Sequence, residues 1–344
     1  MAGRPVASIA VLRALPGVGD LLCMVPSLRA IRARHPRAVM TLLGLPTARW
    51  FVERYRQLVD DLLPVEGVPG LPEVAPDPAV ALRFFRRAQQ RRFDLALQLH
   101  GSGVTSNVLL TLVGARHQVT ARRPGDWTPP GVSVVYPGAG PEVHRLLAVT
   151  AAAGCPAAGG EASLPLTPAE RAEAMALVNS VVGGGRALAC LHPGASRVDN
   201  RWPVERFAAV GDALVRRGHA PVITGSAAER SVAAAVAAAM SEPAAEVAGR
   251  TSVGVLGALF ALARVVVTND TGASHVAAAV RSPSVVVFPS DGDADRWAPL
   301  DAILHRRLRP VGTERWPSVA DVLQAVDQHL GRQTSAAAWW REVS

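Results

Sequence analysis

The chain has 344 residues, 49% of them hydrophobic, and a formal net charge of +8. That length and composition allow two domains with separate cores and exclude a disordered or fibrous chain. All the positive charge beyond histidine is arginine, with no lysine present, which suits acidic partners such as nucleotides, phosphorylated sugars or an anionic membrane face. Aromatic residues make up only 5% and no nucleic-acid motif occurs, so nucleic acid is not an expected partner. Cys23, Cys155 and Cys190 are odd in number and widely spaced, which argues against a disulfide framework and supplies no metal-ligand pair. The first apolar run is short and contains Arg13, so it reads as a strand rather than a signal peptide or membrane span, and the expected location is the cytoplasm.

In chain order, residues 6–12 predict a strand, 16–20 a glycine turn, and 21–34 a helix with Leu21, Leu22, Val25, Leu28 and Ile31 at helical spacing. Strands follow at 39–43 and 95–99, and helices at 46–55 and 78–92, with a proline-rich loop over 67–78. The small-residue stretch 155–160 reads as a linker. Beyond it come a helix at 168–182, a strand at 187–191, a helix at 204–217 and a strand at 220–224. Helices at 227–240 and 252–263, a strand at 265–268, a helix from Ser274 and a strand at 284–288 continue the alternation. A last amphipathic helix, 319–330, carries Val319, Val322, Leu323, Val326 and Leu330 on one face. Alternating β and α segments imply right-handed crossovers and parallel sheets. The expected architecture is two Rossmann-like α/β domains facing a cleft, with ligands outside the carboxyl ends of the strands. The predicted limits are 1–158 for the first domain, 159–316 for the second, and 317–344 for a helical segment crossing back towards the first.

Four strand-to-helix turns carry the candidate chemistry. In Asn269-Asp270-Thr271-Gly272-Ala273-Ser274-His275 a β-branched run ends and a helix starts at once. Its unpaired N–H groups and dipole favour an anion, which Thr271 and Gly272 let approach and which His275, one turn on, can reach. The alternatives are an ordinary turn capped by Asp270 or Thr271, with Asp270 ordering it by accepting backbone N–H groups, and a core His275 bonded to backbone. In Leu15-Pro16-Gly17-Val18-Gly19-Asp20, Gly17 and Gly19 leave room for a ligand, and Asp20 either caps the helix or serves as a general base. A dinucleotide fingerprint is incomplete, since Leu22 stands where its third glycine belongs. In His192-Pro193-Gly194-Ala195-Ser196-Arg197, followed by Asn200-Arg201-Trp202-Pro203, the Gly194 amide, Ser196 and the two arginines can hold anionic oxygens, or Trp202 can anchor a loop whose arginines are solvated. Glu229, one turn into a helix after Thr224-Gly225-Ser226, is placed to accept both hydroxyls of a ribose, or is a surface carboxylate. Asp291, Asp293 and Asp295 lack a complete metal-ligand set. Arg29, Arg32, Arg34 and Arg37, then Arg83, Arg86, Arg87, Arg91 and Arg92, form either solvated faces or a positive rim beside an anionic acceptor or membrane surface.

The ordered set of the Gly-Val-Gly-Asp turn, His192 to Ser196, Arg201-Trp202-Pro203, Asn269 to Gly272 with His275, Gly101 and Asp295-Arg296-Trp297 resembles glycosyltransferase family nine, the heptosyltransferases, over essentially the whole chain. The resemblance implies a GT-B fold and an inverting, metal-independent transferase, monomeric and without cofactor. It would be cytoplasmic or peripheral at the cytoplasmic membrane face. An ADP-sugar, ADP-heptose in the best-known members, would be the donor. The acceptor would be a hydroxyl of the lipopolysaccharide inner core, another glycan or a secondary metabolite. By the same match, Asp20 is the catalytic base. Ser196, Arg197, Asn200, Arg201, Thr271, Gly272 and His275 lie around the donor phosphates, and Glu229 and Thr251 at the nucleoside. Gly17, Gly19, Gly194 and Asp270 shape the turns. Family members commonly carry a lysine just before the Arg/His-Trp-Pro element where this chain has Asn200, which leaves a different nucleotide sugar as the rival donor. The rival from another class is a non-catalytic nucleotide-sugar or glycan-binding protein on the same fold.

Overall fold

The computed structural model describes residues 5–157, 159–182 and 185–331. They form two compact units that divide between Ala162 and Ser163, four residues later than the sequence boundary. Ala158 of the predicted linker lies outside the described residues.

The first unit runs β1 (Ser8–Leu12), α1 (Val18–Arg34), β2 (Val39–Gly44), α2 (Arg49–Arg54), β3 (Asp61–Pro64), α3 (Pro78–Gln90), β4 (Leu95–Gln98), α4 (Val104–Val113), β5 (His117–Arg122), β6 (Val132–Val135) and α5 (Glu142–Ala152). All six strands are parallel, in the order β3-β2-β1-β4-β5-β6. Asp77 caps α3 through the Ala79 and Val80 N–H groups, with Pro78 opening the helix. Leu12, Leu43, Leu63, Phe84, Leu109 and Leu110 pack into one core beneath α3 and α4. At Gly103 the backbone turns through φ 101°, and a side chain there would strike the Ala121 carbonyl. The helix predicted from residue 21 begins at Val18, so Gly19 and Asp20 belong to its first turn rather than to the preceding loop.

The second unit runs α6 (Pro168–Val181), β7 (Ala187–His192), α7 (Val204–Arg216), β8 (His219–Ile223), α8 (Arg230–Ala239), β9 (Ala245–Glu246), α9 (Val253–Leu262), β10 (Val265–Asn269), α10 (Gly272–Ala279), β11 (Ser284–Val287), α11 (Ala294–Trp297), β12 (His305–Leu308) and α12 (Val319–Gly331). Its parallel sheet has the order β12-β11-β10-β7-β8-β9. A reciprocal Thr167–Glu170 capping box opens α6. The helix expected from Ser274 starts two residues earlier, which makes Thr271 its N-cap. Val322, Ala325 and Val326 of α12 enter the core formed by Leu191, Phe207, Ile223 and Val267. The described part of the segment expected to cross back thus packs within the second unit, and 332–344 lie outside the described residues.

The two sheets share one topology. Chain direction across the first reverses between its central neighbours β1 and β4, and across the second between β7 and β10. In an open parallel sheet the crevice for a ligand lies outside the carboxyl ends of such a pair. Each unit therefore has one favoured place for chemistry.

Candidate functional site

At the carboxyl edge of the second sheet the loops are organised by one amide. Asn269, fully buried at the end of β10, accepts the Trp202 backbone N–H on Oδ1 at 2.9 Å. Its Nδ2 donates to the Pro193 carbonyl at 2.8 Å and faces that of Gly194 at 3.4 Å. The switch-point loop after β7 is thereby tied to β10. Trp202, also buried, donates Nε1–H to the Pro317 carbonyl at 3.1 Å and packs edge-on against Phe207. A structural role for Trp202 is common to both sequence readings of this loop. Asp270, expected to order the turn, does not: its carboxylate accepts no hydrogen bond from the described residues, and the adjacent amide holds the loops instead.

The residues around this clamp sit in the loops after β7, β8, β9 and β10. Ser196 and Arg197 are exposed, and Asn200 ends a short 3-10 turn over Val198–Asn200. Arg201 donates Nε–H to the Ala195 carbonyl at 3.0 Å, which fixes its stem and leaves its terminal nitrogens for a ligand. Glu229 is not a free surface carboxylate. Its Oε2 accepts the Ser226 N–H at 2.7 Å within a capping box, and it lies so close above Gly194 that a Cβ there would overlap the carboxyl group. Burial alone would raise its pKa, yet the neighbouring His192, the Ser226 hydrogen bonds and the Arg201 charge hold it below the ordinary value. His192 lies 3.8 Å from Glu229; burial keeps its pKa down, and Nδ1 pairs with the Thr224 hydroxyl at 2.9 Å. Thr251 is half-buried one residue before Ser252, the N-cap of α9.

Thr271 makes no side-chain cap to α10, so the first N–H groups of that helix remain for an anion. Gly272 and His275 stand in its first turn, and the His275 ring meets Trp297 edge-on at 6.3 Å. Asp270 faces this helix start. Burial raises its pKa to about 6, with His275 opposing the rise and Asp293 adding to it.

The first unit presents a second cluster, between β1 and β4. Asp20, in the first turn of α1, makes no cap, which removes the capping reading. Instead Arg13, with no exposed surface, donates Nη2–H to Asp20 Oδ1 at 3.1 Å and Nε–H to the Asp20 carbonyl at 2.7 Å. The same guanidinium binds the Leu99 carbonyl at 2.5 Å and pairs with buried Glu142 at 3.5 Å. Glu142 in turn accepts the Tyr136 hydroxyl at 3.0 Å. About a quarter of the Asp20 side chain (23%) remains accessible. Gly17 is the α1 N-cap, and a Cβ on it would overlap Asp20 Oδ2. Its space is filled by that carboxylate rather than kept open for a ligand, as the sequence reading had it. Gly19 is buried inside the first turn. Sequence reasoning missed Arg13, whose signal was a charge directly after the apolar run Ile9–Leu12.

Among the described residues no three His, Cys, Asp or Glu side chains gather to hold a metal ion. Asp293 caps α11, Asp295 pairs with Arg307 at 2.7 Å, and Asp291 lies 3.6 Å from Arg315. The three cysteines are buried thiols. Arg32 is tied to the Ala38 and Leu58 carbonyls and Asp60, and Arg91 to Asp61, whereas Arg83, Arg86 and Arg87 are exposed. No described helix is long and apolar enough to cross a membrane.

Two outcomes follow from these contacts. Asn269→Ala strands the Trp202 N–H and the Pro193 carbonyl, so urea unfolding is expected to show a loss of about 1–3 kcal/mol. For Asp270 the folded pKa of about 6 exceeds the ordinary 3.8, so the folded state holds the proton more tightly and this group's contribution to stability falls as pH rises between those values. Asp270→Asn is therefore expected to raise the thermal midpoint at about pH 7.5, with the gain disappearing near pH 4; an equal gain at both would contradict the burial account.

With this geometry in view, the likeness to known proteins is specific. The model of glycosyltransferase family 9 (heptosyltransferase) matches residues 81–308, well over half of the chain. The lipooligosaccharide heptosyltransferase 2 of Haemophilus influenzae is 31% identical over 132 residues, 36% of this chain and 38% of that protein. The matched region thus spans well under half the length of that relative. The lipopolysaccharide heptosyltransferase 2 of Salmonella typhimurium is 26% identical over 291 residues, 80% of this chain and 81% of its own. The solved structure of the E. coli ADP-heptose lps heptosyltransferase II superposes with a TM-score of 0.72 at 21% identity, covering 98% of this chain and all of that one. That likeness gives the fold as GT-B, as the resemblance implied. The family match over well over half of the chain settles membership: the chain belongs to glycosyltransferase family 9, the heptosyltransferases.

Proposed function

We propose that this protein transfers heptose, or a related sugar, from an ADP-sugar to a hydroxyl of a glycan acceptor, with inversion and without a metal. The observation that carries the reading is the Arg13-held carboxylate of Asp20 at one switch point, in a chain whose other switch point presents an uncapped helix start and the loop that carries Ser196, Arg197 and Arg201. Asp20 takes the proton of the acceptor hydroxyl, and that oxygen attacks the anomeric carbon from the face opposite the nucleotide. The bond from that carbon to the β-phosphate oxygen breaks, and ADP leaves with the electron pair. The α10 N–H groups, the Thr271 hydroxyl, His275 and the two arginines stabilise the departing charge in place of a cation. Glu229 and Thr251 hold the nucleoside. Relatives named for lipopolysaccharide and lipooligosaccharide favour a glycan of that kind as the acceptor class.

Asn200, in place of the family lysine, favours one second reading, a donor carrying another nucleotide. Calorimetry against ADP, UDP and GDP is expected to give the tightest binding for ADP; a preference for UDP or GDP would replace the donor. Asp20→Asn, which keeps an acceptor for Arg13, is expected to lower kcat by ~10²- to 10⁴-fold with ADP affinity unchanged. Near-normal turnover would remove Asp20 as base, and ADP binding without transfer by the wild type would identify a binding protein.

A further inference from the structure

The first unit's switch point holds a second polar side chain that the catalytic reading leaves unused. His100 follows β4 as Asp20 follows β1, and both are fixed by the same two residues at the end of β1. Arg13 grips Asp20 and the Leu99 carbonyl with one guanidinium, while the next backbone group, the Ala14 N–H, donates to His100 Nδ1 at 3.1 Å. The His100 backbone is fixed as well. Its N–H donates to Gln98 Oε1 at 3.0 Å, and its carbonyl accepts Ser106 Oγ at 2.9 Å and Gln98 Nε2 at 3.2 Å.

A backbone N–H can only donate, so Nδ1 must offer its lone pair and the ring proton must sit on Nε2. Protonating Nδ1 would set two N–H groups against each other. Burial, with the Arg13 charge adding to it, lowers the pKa to about 4, in keeping with a neutral ring. Nε2 has no hydrogen-bond partner among the described residues and is not one of the enclosed, unpaired side-chain atoms, so it is reachable from solvent. The ring is half-buried, which limits its freedom to turn away.

We infer that His100 is an acceptor-binding residue: its Nε2–H is a fixed neutral donor that binds an oxygen of the glycan acceptor whose hydroxyl is delivered to Asp20. The two side chains have opposite polarity. Ionised Asp20 only accepts hydrogen bonds, and His100 in this tautomer can only donate at its free nitrogen. Together they select an acceptor carrying a hydroxyl to give and, near it, a ring, hydroxyl or carboxylate oxygen to receive. An acceptor lacking the second oxygen would leave the partly buried N–H without a partner, which is the more discriminating half of such a site.

This inference rests on the transferase reading, and the test separates the two. Ring ¹H–¹⁵N spectra of the whole protein are expected to show His100 in the Nε2–H form with no titration between about pH 5.5 and 8. The Nδ1–H form, or a titration in that range, would overturn the assignment. In steady-state assays with ADP-heptose and deacylated lipopolysaccharide core oligosaccharide, His100→Leu is expected to raise the acceptor KM by roughly 2- to 10-fold. ADP affinity by calorimetry should be unchanged. His100→Gln, which keeps both an acceptor for Ala14 N–H and a donor, should recover most of the loss. An unchanged KM, an equal loss of ADP affinity, or no recovery in the Gln variant would overturn the role, the last two because they mark a structural effect. A wild type that transfers nothing to this oligosaccharide would count against the transferase reading with that acceptor, and His100 would then stand or fall on its ring spectrum.

Discussion

The side-chain amide of Asn269 is the contact on which the second unit's loops depend. A carboxamide presents one acceptor and one donor a fixed short distance apart, so it can take the Trp202 N–H and give to Pro193 in a single plane. Both partners are main-chain groups in a loop that folds over the sheet edge, where backbone polar groups have no ladder to join. Buried without them, Asn269 would be a liability at the end of four β-branched or hydroxylated residues; paired, it fixes where the β7 loop stands relative to the start of α10. An aspartate in the same place would offer no donor, which explains why the neighbouring carboxylate could not do the work.

The first unit solves the same problem with a charge. Arg13 leaves its strand fully buried and spreads four contacts over Asp20, Leu99 and Glu142. A guanidinium is a planar fork, so these partners are fixed in direction as well as distance. Removing Arg13 would leave two carboxylates without their counter-charge, and the network therefore resists that change most. In each unit a buried polar side chain at the end of a central strand braces the turn beyond the neighbouring central strand. Topology chooses the place, and the brace makes the place rigid.

Much of this was legible in the sequence. The alternating pattern, the linker near 160 and the long strands of both cores stand out because fully buried parallel strands are continuous apolar runs. The missed elements are α4, β5 and α5 across residues 104–152, the short α11, and the short, half-exposed strands. β3, β6 and β12 have four residues each, β9 has two, and none is wholly buried. The candidate loops were also visible as turns after strands. Their internal division of labour was not, because an adjacent Asn and Asp are equal turn formers by type and only the direction of the partner groups tells them apart. Arg13 and His100 were hidden for a related reason: each gains its role from a residue more than 80 positions away.

Gly17 and Gly194 look like the glycines of a phosphate-binding turn, yet each lies against a carboxyl group, of Asp20 and Glu229 respectively. Their missing side chains are moulds for the protein's own acids. At Gly17 the backbone is in a region open to any residue, so conformation places no demand on the position, and only the acid does. A glycine of this kind is a record of something else, and where such turns recur in related chains, the glycine and the carboxylate should be gained or lost together.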